Sequence, residues 1–329
     1  MLEAQQPTLE VYGGKAIHIL QIREQLHALE KDVLASGPLL LEGDSGVRKL
    51  VSELRSVRDI TQSIQGENCE AFKAKYSEMS LLLDYIIYLH ISFFLICSEK
   101  FISKENEKKK PKIEIEVSQR MSYLTLMLTH LTNSLVSIRI LVERGLDIQS
   151  KQIFRSYIEY SDISIAILGS TEFYNHYKQM GESEELDKKI WFKFIRPAAL
   201  TKTLKNIYSN YADDKDIWDT VQNIRNPVYQ RLSDYTHGHY MAVFTSSFTE
   251  GQGSTLLGRV NENIHNTMLN TIVYSYMFLK HSMVMIVQHQ KIPFLQFGDE
   301  GLAYIKYYKL LELYFPTFIK RHAPSRPNL

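Results

Sequence analysis

Cysteine is scarce in this sequence: Cys69 and Cys97 are the only two in 329 residues, and they form no CxxC pair. Two thiols so far apart exclude a disulfide framework, and with no signal peptide in view they point to a reducing cytoplasm, each expected to be a buried thiol. Nine prolines and fifteen glycines are few for this length. They fall between long periodic runs, as they do where helices are joined by short loops, and all-β architecture is thereby disfavoured. An excess of one charge is lacking too. Thirty-eight basic against thirty-seven acidic residues leave +1, so no global field steers the molecule to nucleic acid or to a membrane, and any anion site has to be local.

Long hydrophobic runs are also missing. The strongest stretch, Tyr85 to Ser98, has Asp84 and Glu99 at its edges and His90 inside it. A spanning helix needs about 20 mainly apolar residues, so this run is expected to be a central helix of a bundle, with no membrane partner. Met268 to Val287 is similar but is broken by Lys280 and His281. The turn Glu42-Gly-Asp-Ser-Gly46 lacks the spacing of a phosphate-binding loop. It reads as a helix start capped by Asp44 or Ser45, which sets aside nucleotide hydrolysis there.

What is present is helical periodicity and enough apolar residue, 44%, to bury a large core. Ile17, Leu20, Ile22, Leu26 and Leu29 predict an amphipathic helix, and Val51, Leu54, Val57 and Ile60 a second. Residues 1–66 are therefore assigned to an N-terminal helical hairpin or arm, suited to packing on the bundle or to holding a protein partner. A long helix from about Glu70 precedes the charged connection Ser103 to Lys112. The clearest element follows. Val117, Met121, Leu124, Leu128, Leu131, Leu135, Ile138 and Val142 alternate spacings of four and three, an apolar seam that needs partner helices, and Gly145 ends it. Further helices are expected from a cap at Ser150 to Gly169, over Phe173–Met180, Glu184–Ser209 and Asp216–Asn226, then from Pro227, at the first turn of a new helix, to Gly238. A loop or small β-hairpin over 241–257, a helix over about 261–290, a break at Pro293 and a helix from Gly301 complete the main bundle, residues 67–322. Residues 323–329 form a frayed tail. The fold class is an all-α multi-helix bundle.

The residues most able to carry chemistry are Arg155 and Glu159, four apart and so on one helix face, and Arg231, Asp234, Tyr235, His237 and His239 further on. Arg155 and Glu159 either pair with each other or present a polar patch to a neighbouring helix. Arg231 and His237 form a minimal kit for RNA cleavage without metal or cofactor. Imidazole moves protons between the ribose hydroxyl and the leaving oxygen while guanidinium stabilises the phosphorane-like charge. A metal site from His237, His239 and Asp234 lacks a complete ligand set nearby. The structural alternative is that these groups satisfy buried hydrogen bonds at a helix junction. His90 and His130 read as core histidines, and Trp191 and Trp218 as core or interface aromatics rather than base-stacking platforms.

Arg231, five residues, then His237 inside a helical protein resembles the motif of the HEPN superfamily, many of whose members are ribonucleases of toxin, CRISPR or abortive-infection systems. Arg155-x-x-x-Glu159 with the later Tyr229-Gln-Arg-Leu-Ser233-Asp-Tyr-Thr-His237 is also similar to a bacterial family of unknown function, over roughly Met121 to His239. The HEPN resemblance implies Arg231 as the phosphate-binding arginine, His237 as the catalytic histidine and Glu159 as the acid that orients them. Arg155, Asp234, Tyr235 and His239 would support them. RNA is the implied substrate and a homodimer or larger assembly the implied state. Two features depart from the motif: Leu232 stands where a polar residue usually follows the arginine, and residues six apart lie about 240° around an ideal helix. The alternative function is a noncatalytic interaction or regulatory subunit of a defence assembly.

Overall fold

A computed structural model describes residues 45–101, 112–211, 217–236, 248–249, 253–254, 260, 262–292 and 298–322. The chain divides into two compact units, Met1–Ser63 and Ile64–Leu329. In the first, helix is described from Ser45 onward. The second holds the hydrophobic core and the candidate site residues.

Nine helices are present among the described residues: α1 Ser45–Phe101, α2 Lys112–Glu143, α3 Asp147–Gly169, α4 Thr171–Tyr177, α5 Glu184–Ile190, α6 Pro197–Tyr211, α7 Ile217–Thr236, α8 Glu262–Val284 and α9 Gly298–His322. The protein is all-α apart from one short antiparallel pair, β1 Phe248–Thr249 with β2 Gly253–Ser254, inside the segment expected to form a hairpin. The α2 seam packs as its spacing requires: Met121, Leu124, Leu128, Leu131, Leu135, Ile138 and Val142 are all fully buried. Gly145, at φ 76°, takes the left-handed position that closes a helix at little cost for glycine.

Helix α3 is the hub, packed by α2, α6, α7 and α8. Every residue from Ser161 to Gly169 is buried, as expected of a helix enclosed on all sides. Its C-terminal carbonyls, which have no partner within the helix, are met by side chains. The Gln290 amide donates to Leu168 O at 2.6 Å and Arg120 Nη1 to Ile167 O at 3.3 Å. Where α6 crosses this end, a Cβ on Gly169 would lie 2.7 Å from Ile207 Cγ2, so only glycine fits without a shift.

Several boundaries differ from expectation. Helix α1, Ser45 to Phe101, is kinked at Tyr76, whose φ/ψ of −124°/25° lie outside the helical range. Helix α3 starts at Asp147 rather than being capped by Ser150, whose hydroxyl donates to Asp147 O at 2.7 Å inside the helix. The stretch 184–209 is interrupted: a π-helical turn, Trp191–Ile195, leads to Arg196 at ψ 146°, the extended geometry favoured before Pro197. Pro227 lies within α7 rather than opening a helix. The buried stripe Val221, Arg225, Val228 and Leu232 runs past the proline, which stands on the exposed side, and tertiary packing carries the helix through. Helix α8 passes into a second π-turn, Met285–His289, and α9 begins at Gly298 and continues to His322.

Isolated residues also differ. Cys97 is buried but Cys69 is half-exposed. His90 is a satisfied core histidine, with Nδ1 donating to Ile86 O at 2.9 Å and Nε2 receiving the Tyr157 hydroxyl at 2.9 Å. His130, by contrast, is surface-exposed beside Tyr160. Trp191 is also exposed. By length and composition two helical stretches, Gln62–Ser98 and Glu116–Glu143, are apolar enough to cross a membrane. The run Tyr85–Ser98 is the C-terminal part of the first of these stretches. One face of each stretch lies in the protein core, with Phe72, Leu83, Ile86, Leu89 and Phe93 of α1 fully buried.

Candidate functional site

The polar residues of α3 are placed by its burial pattern. Phe154, Tyr157 and Ile158 turn into the core, which leaves Arg155 and Glu159 half-buried toward α7. There they meet Tyr229 and Ser233, again four apart and so on one face of α7. Arg155 Nε donates to Glu159 Oε1 at 3.2 Å, and the Tyr229 hydroxyl donates to the same oxygen at 2.6 Å. Longer contacts of 3.4 Å run from Arg155 Nη1 to Ser233 Oγ and from Nη2 to the Tyr229 hydroxyl oxygen. The Tyr229 ring has two guanidinium neighbours, Arg155 and Arg225, with Cζ 5.1 and 5.2 Å from its centroid, cation–π distances. Burial, reinforced by Glu159, raises the Tyr229 pKa, so the phenol stays protonated and acts as donor. The Glu159 side chain is 42% exposed and that of Arg155 16%, so solvent reaches the carboxylate more readily than the guanidinium.

Beneath this clasp lies a second, buried polar layer. Arg225 donates to Asp162 Oδ2 through Nε at 2.7 Å and Nη2 at 2.6 Å, and the Tyr274 hydroxyl donates to Oδ1 at 2.7 Å. Burial raises the Asp162 pKa despite the opposing pull of Arg225 and Tyr274. Nearby, Tyr208 donates to His281 Nδ1 at 2.8 Å, and burial pushes the His281 pKa down to about 4, which keeps the ring neutral. This layer satisfies its own members, as buried polar groups must.

Arg231 stands apart from the clasp. Two residues on from Tyr229, it points about 200° around the helix axis, and among the described residues no hydrogen bond or ion pair links it to Glu159. Its side chain is exposed, with Nε donating to Pro227 O at 3.1 Å. It lines a cleft of about 120 Å³ between α3, α7 and α8, together with Lys151, Phe154, Asn263, Asn266 and Asn270. The structure thus brings Arg155 and Glu159 together with Tyr229 and Ser233 but not with Arg231. Asp234 and Tyr235 fall in the last turn of α7, where side chains are outside the described residues, and His237 and His239 are outside them altogether. Among the described residues no three histidine, cysteine or carboxylate side chains gather as a metal site would need.

Arg231 was expected from the sequence to hold phosphate, but the asparagines beside it in the cleft were not singled out. A signal existed: Asn263, Asn266 and Asn270 follow the spacing of three and four that places residues on one helix face. What the sequence alone lacks is the neighbour that this face meets. The chain has no match among family models, curated proteins or solved structures.

Proposed function

We propose that this protein is a HEPN-like, metal-independent ribonuclease of a toxin or antiphage defence system, acting in the cytoplasm as a homodimer or larger assembly, with α3 and α7 as its catalytic face. The observation that carries the proposal is the Arg155–Glu159–Tyr229–Ser233 clasp, which joins the two halves of the sequence motif across 70 or more residues. His237 follows Ser233 by four residues, as Ser233 follows Tyr229, a spacing that supports a role for it beside Glu159. In this reaction the ribose 2′-oxygen loses its proton to a base and attacks the adjacent phosphorus. The bond to the 5′-oxygen breaks, and that oxygen takes a proton. The products are a 2′,3′-cyclic phosphate and a 5′-hydroxyl. His237 carries the proton and Glu159 orients it, while Arg231, directed away from Glu159, holds a neighbouring backbone phosphate, with Arg155, Asp234, Tyr235 and His239 in support.

A second reading, a noncatalytic interaction or regulatory subunit, is favoured by one observation: Glu159 is already engaged by Tyr229 and Arg155, as a purely structural clasp would be. End-labelled RNA incubated with the purified protein in EDTA separates the two. The ribonuclease reading expects cleavage by the wild type, reduced by about 10²–10⁴ in His237→Ala and weakened in Arg231→Ala. Intact RNA in every lane supports the regulatory reading.

A further inference from the structure

We infer that the cleft between α3, α7 and α8 holds one nucleotide of a single-stranded RNA, with the base inserted against the asparagine row and its phosphate on Arg231. The inference rests on the ribonuclease reading for its ligand class but, apart from Arg231, on different residues for its geometry. Lys151 is committed to buried Asp147, Nζ to Oδ2 at 2.5 Å, and Asp147 also accepts from Thr267 at 2.7 Å. The Arg231 guanidinium, exposed at the rim, makes no ion pair among the described residues. Among the described residues the cleft therefore offers Arg231 as its exposed positive charge, suited to one phosphodiester rather than to a polyanionic cluster.

The walls supply the rest. Asn266 and Asn270 are one turn apart, and Asn263 continues the row. Each asparagine amide carries two N–H donors and a carbonyl acceptor, a set that matches the mixed donor and acceptor edge of a nucleobase. The floor is apolar, formed by Phe154, Val228 and Leu232, all nearly fully buried, and can lie against a ring. Size decides the arrangement. At about 120 Å³ the cleft is no larger than a single base and has no room for a base and its phosphate together. The phosphate must stay at the rim, where Arg231 stands. Bases splayed out of single strands are read in this way, by hydrogen bonds to their edges.

The test uses the full chain carrying His237→Ala, so that RNA stays intact, and two fluorescein-labelled probes: hexa-adenylate and an abasic ribose-phosphate hexamer. In fluorescence anisotropy hexa-adenylate is expected to bind about ten-fold more tightly than the abasic strand, the contribution of two or three modest hydrogen bonds. Asn266→Ala with Asn270→Ala should erase that difference. Arg231→Gln should weaken both probes and lower the slope of log Kd against log salt by about 0.7, one phosphate contact on a single strand. Circular dichroism confirms folding, and Asn270→Asp, which brings a negative charge to the base site, gives an independent variant that should also weaken hexa-adenylate. Equal binding of the two probes, or a double variant that keeps the preference, overturns the inference. Cleavage by the wild type alongside unchanged binding by the asparagine variants would remove this inference and leave the ribonuclease standing. Asparagine-dependent binding with no cleavage would do the reverse.

Discussion

Replacing Asp162 by alanine separates the scaffold of this site from its chemistry. Asp162 and Arg225 are each at most 5% exposed, and Asp162 receives two hydrogen bonds from Arg225 and one from Tyr274. Among the described residues its removal leaves a buried guanidinium with a 3.4 Å contact to Thr201 as its remaining hydrogen bond, and it orphans the Tyr274 hydroxyl. Breaking a buried pair in this manner costs about 3–5 kcal/mol, and an unsatisfied buried hydroxyl about 1–3. The two penalties overlap, because local water entry relieves both. A net loss of about 4 kcal/mol is a large part of the ~5–15 kcal/mol that stabilises a typical domain. Glu159→Gln, at a half-exposed position, should cost no more than about 1 kcal/mol. Urea unfolding followed by circular dichroism at fixed pH measures both. A double replacement, Asp162→Leu with Arg225→Met, should recover most of the loss, because the charge that suffers burial is gone. If Asp162→Ala unfolds within 1 kcal/mol of wild type, the buried layer does not hold the site in place and the reasoning fails.

Two further outcomes test the packing account. Burial pushes His90 and His281 from 6.5 down to about 4, so the unfolded chain binds protons that the folded chain refuses. Their contribution, on the order of 3 kcal/mol each, is complete above pH 6.5 and is lost as pH falls toward 4. The urea midpoint should drop across that window, less steeply in His90→Gln, and a flat profile would contradict the burial of both rings. Gly169→Ala should cost about 1–3 kcal/mol by overpacking, and Ile207→Ala should be less costly in that background than alone. Additive losses would show that the two positions do not touch.

The legibility of the sequence varied with the kind of signal. The α2 seam was readable residue by residue because one face of a helix meeting a core leaves a repeat of three and four, and Leu124 to Val142 follow it without exception. The pairing of Arg155 with Glu159 was readable for the same reason. Their partners Tyr229 and Ser233 were visible as a motif, but not as hydrogen-bonding groups, since a contact across more than 70 residues depends on how α3 and α7 cross. Pro227 misled because a local helix-start preference yielded to the buried stripe of α7. The Asp162–Arg225 pair had no local mark at all. An acid and a base 63 residues apart look like ordinary surface charges until α3 is known to be enclosed.

The central claim is that the face formed by α3 and α7 cleaves RNA by transfer to the neighbouring 2′-oxygen. The most direct measurement is mass spectrometry of the ends produced from a defined RNA oligonucleotide incubated with the protein in EDTA. The account predicts new 2′,3′-cyclic phosphate and 5′-hydroxyl ends, absent with His237→Ala. Uncut oligonucleotide, or 5′-phosphate ends that persist in His237→Ala, would contradict it.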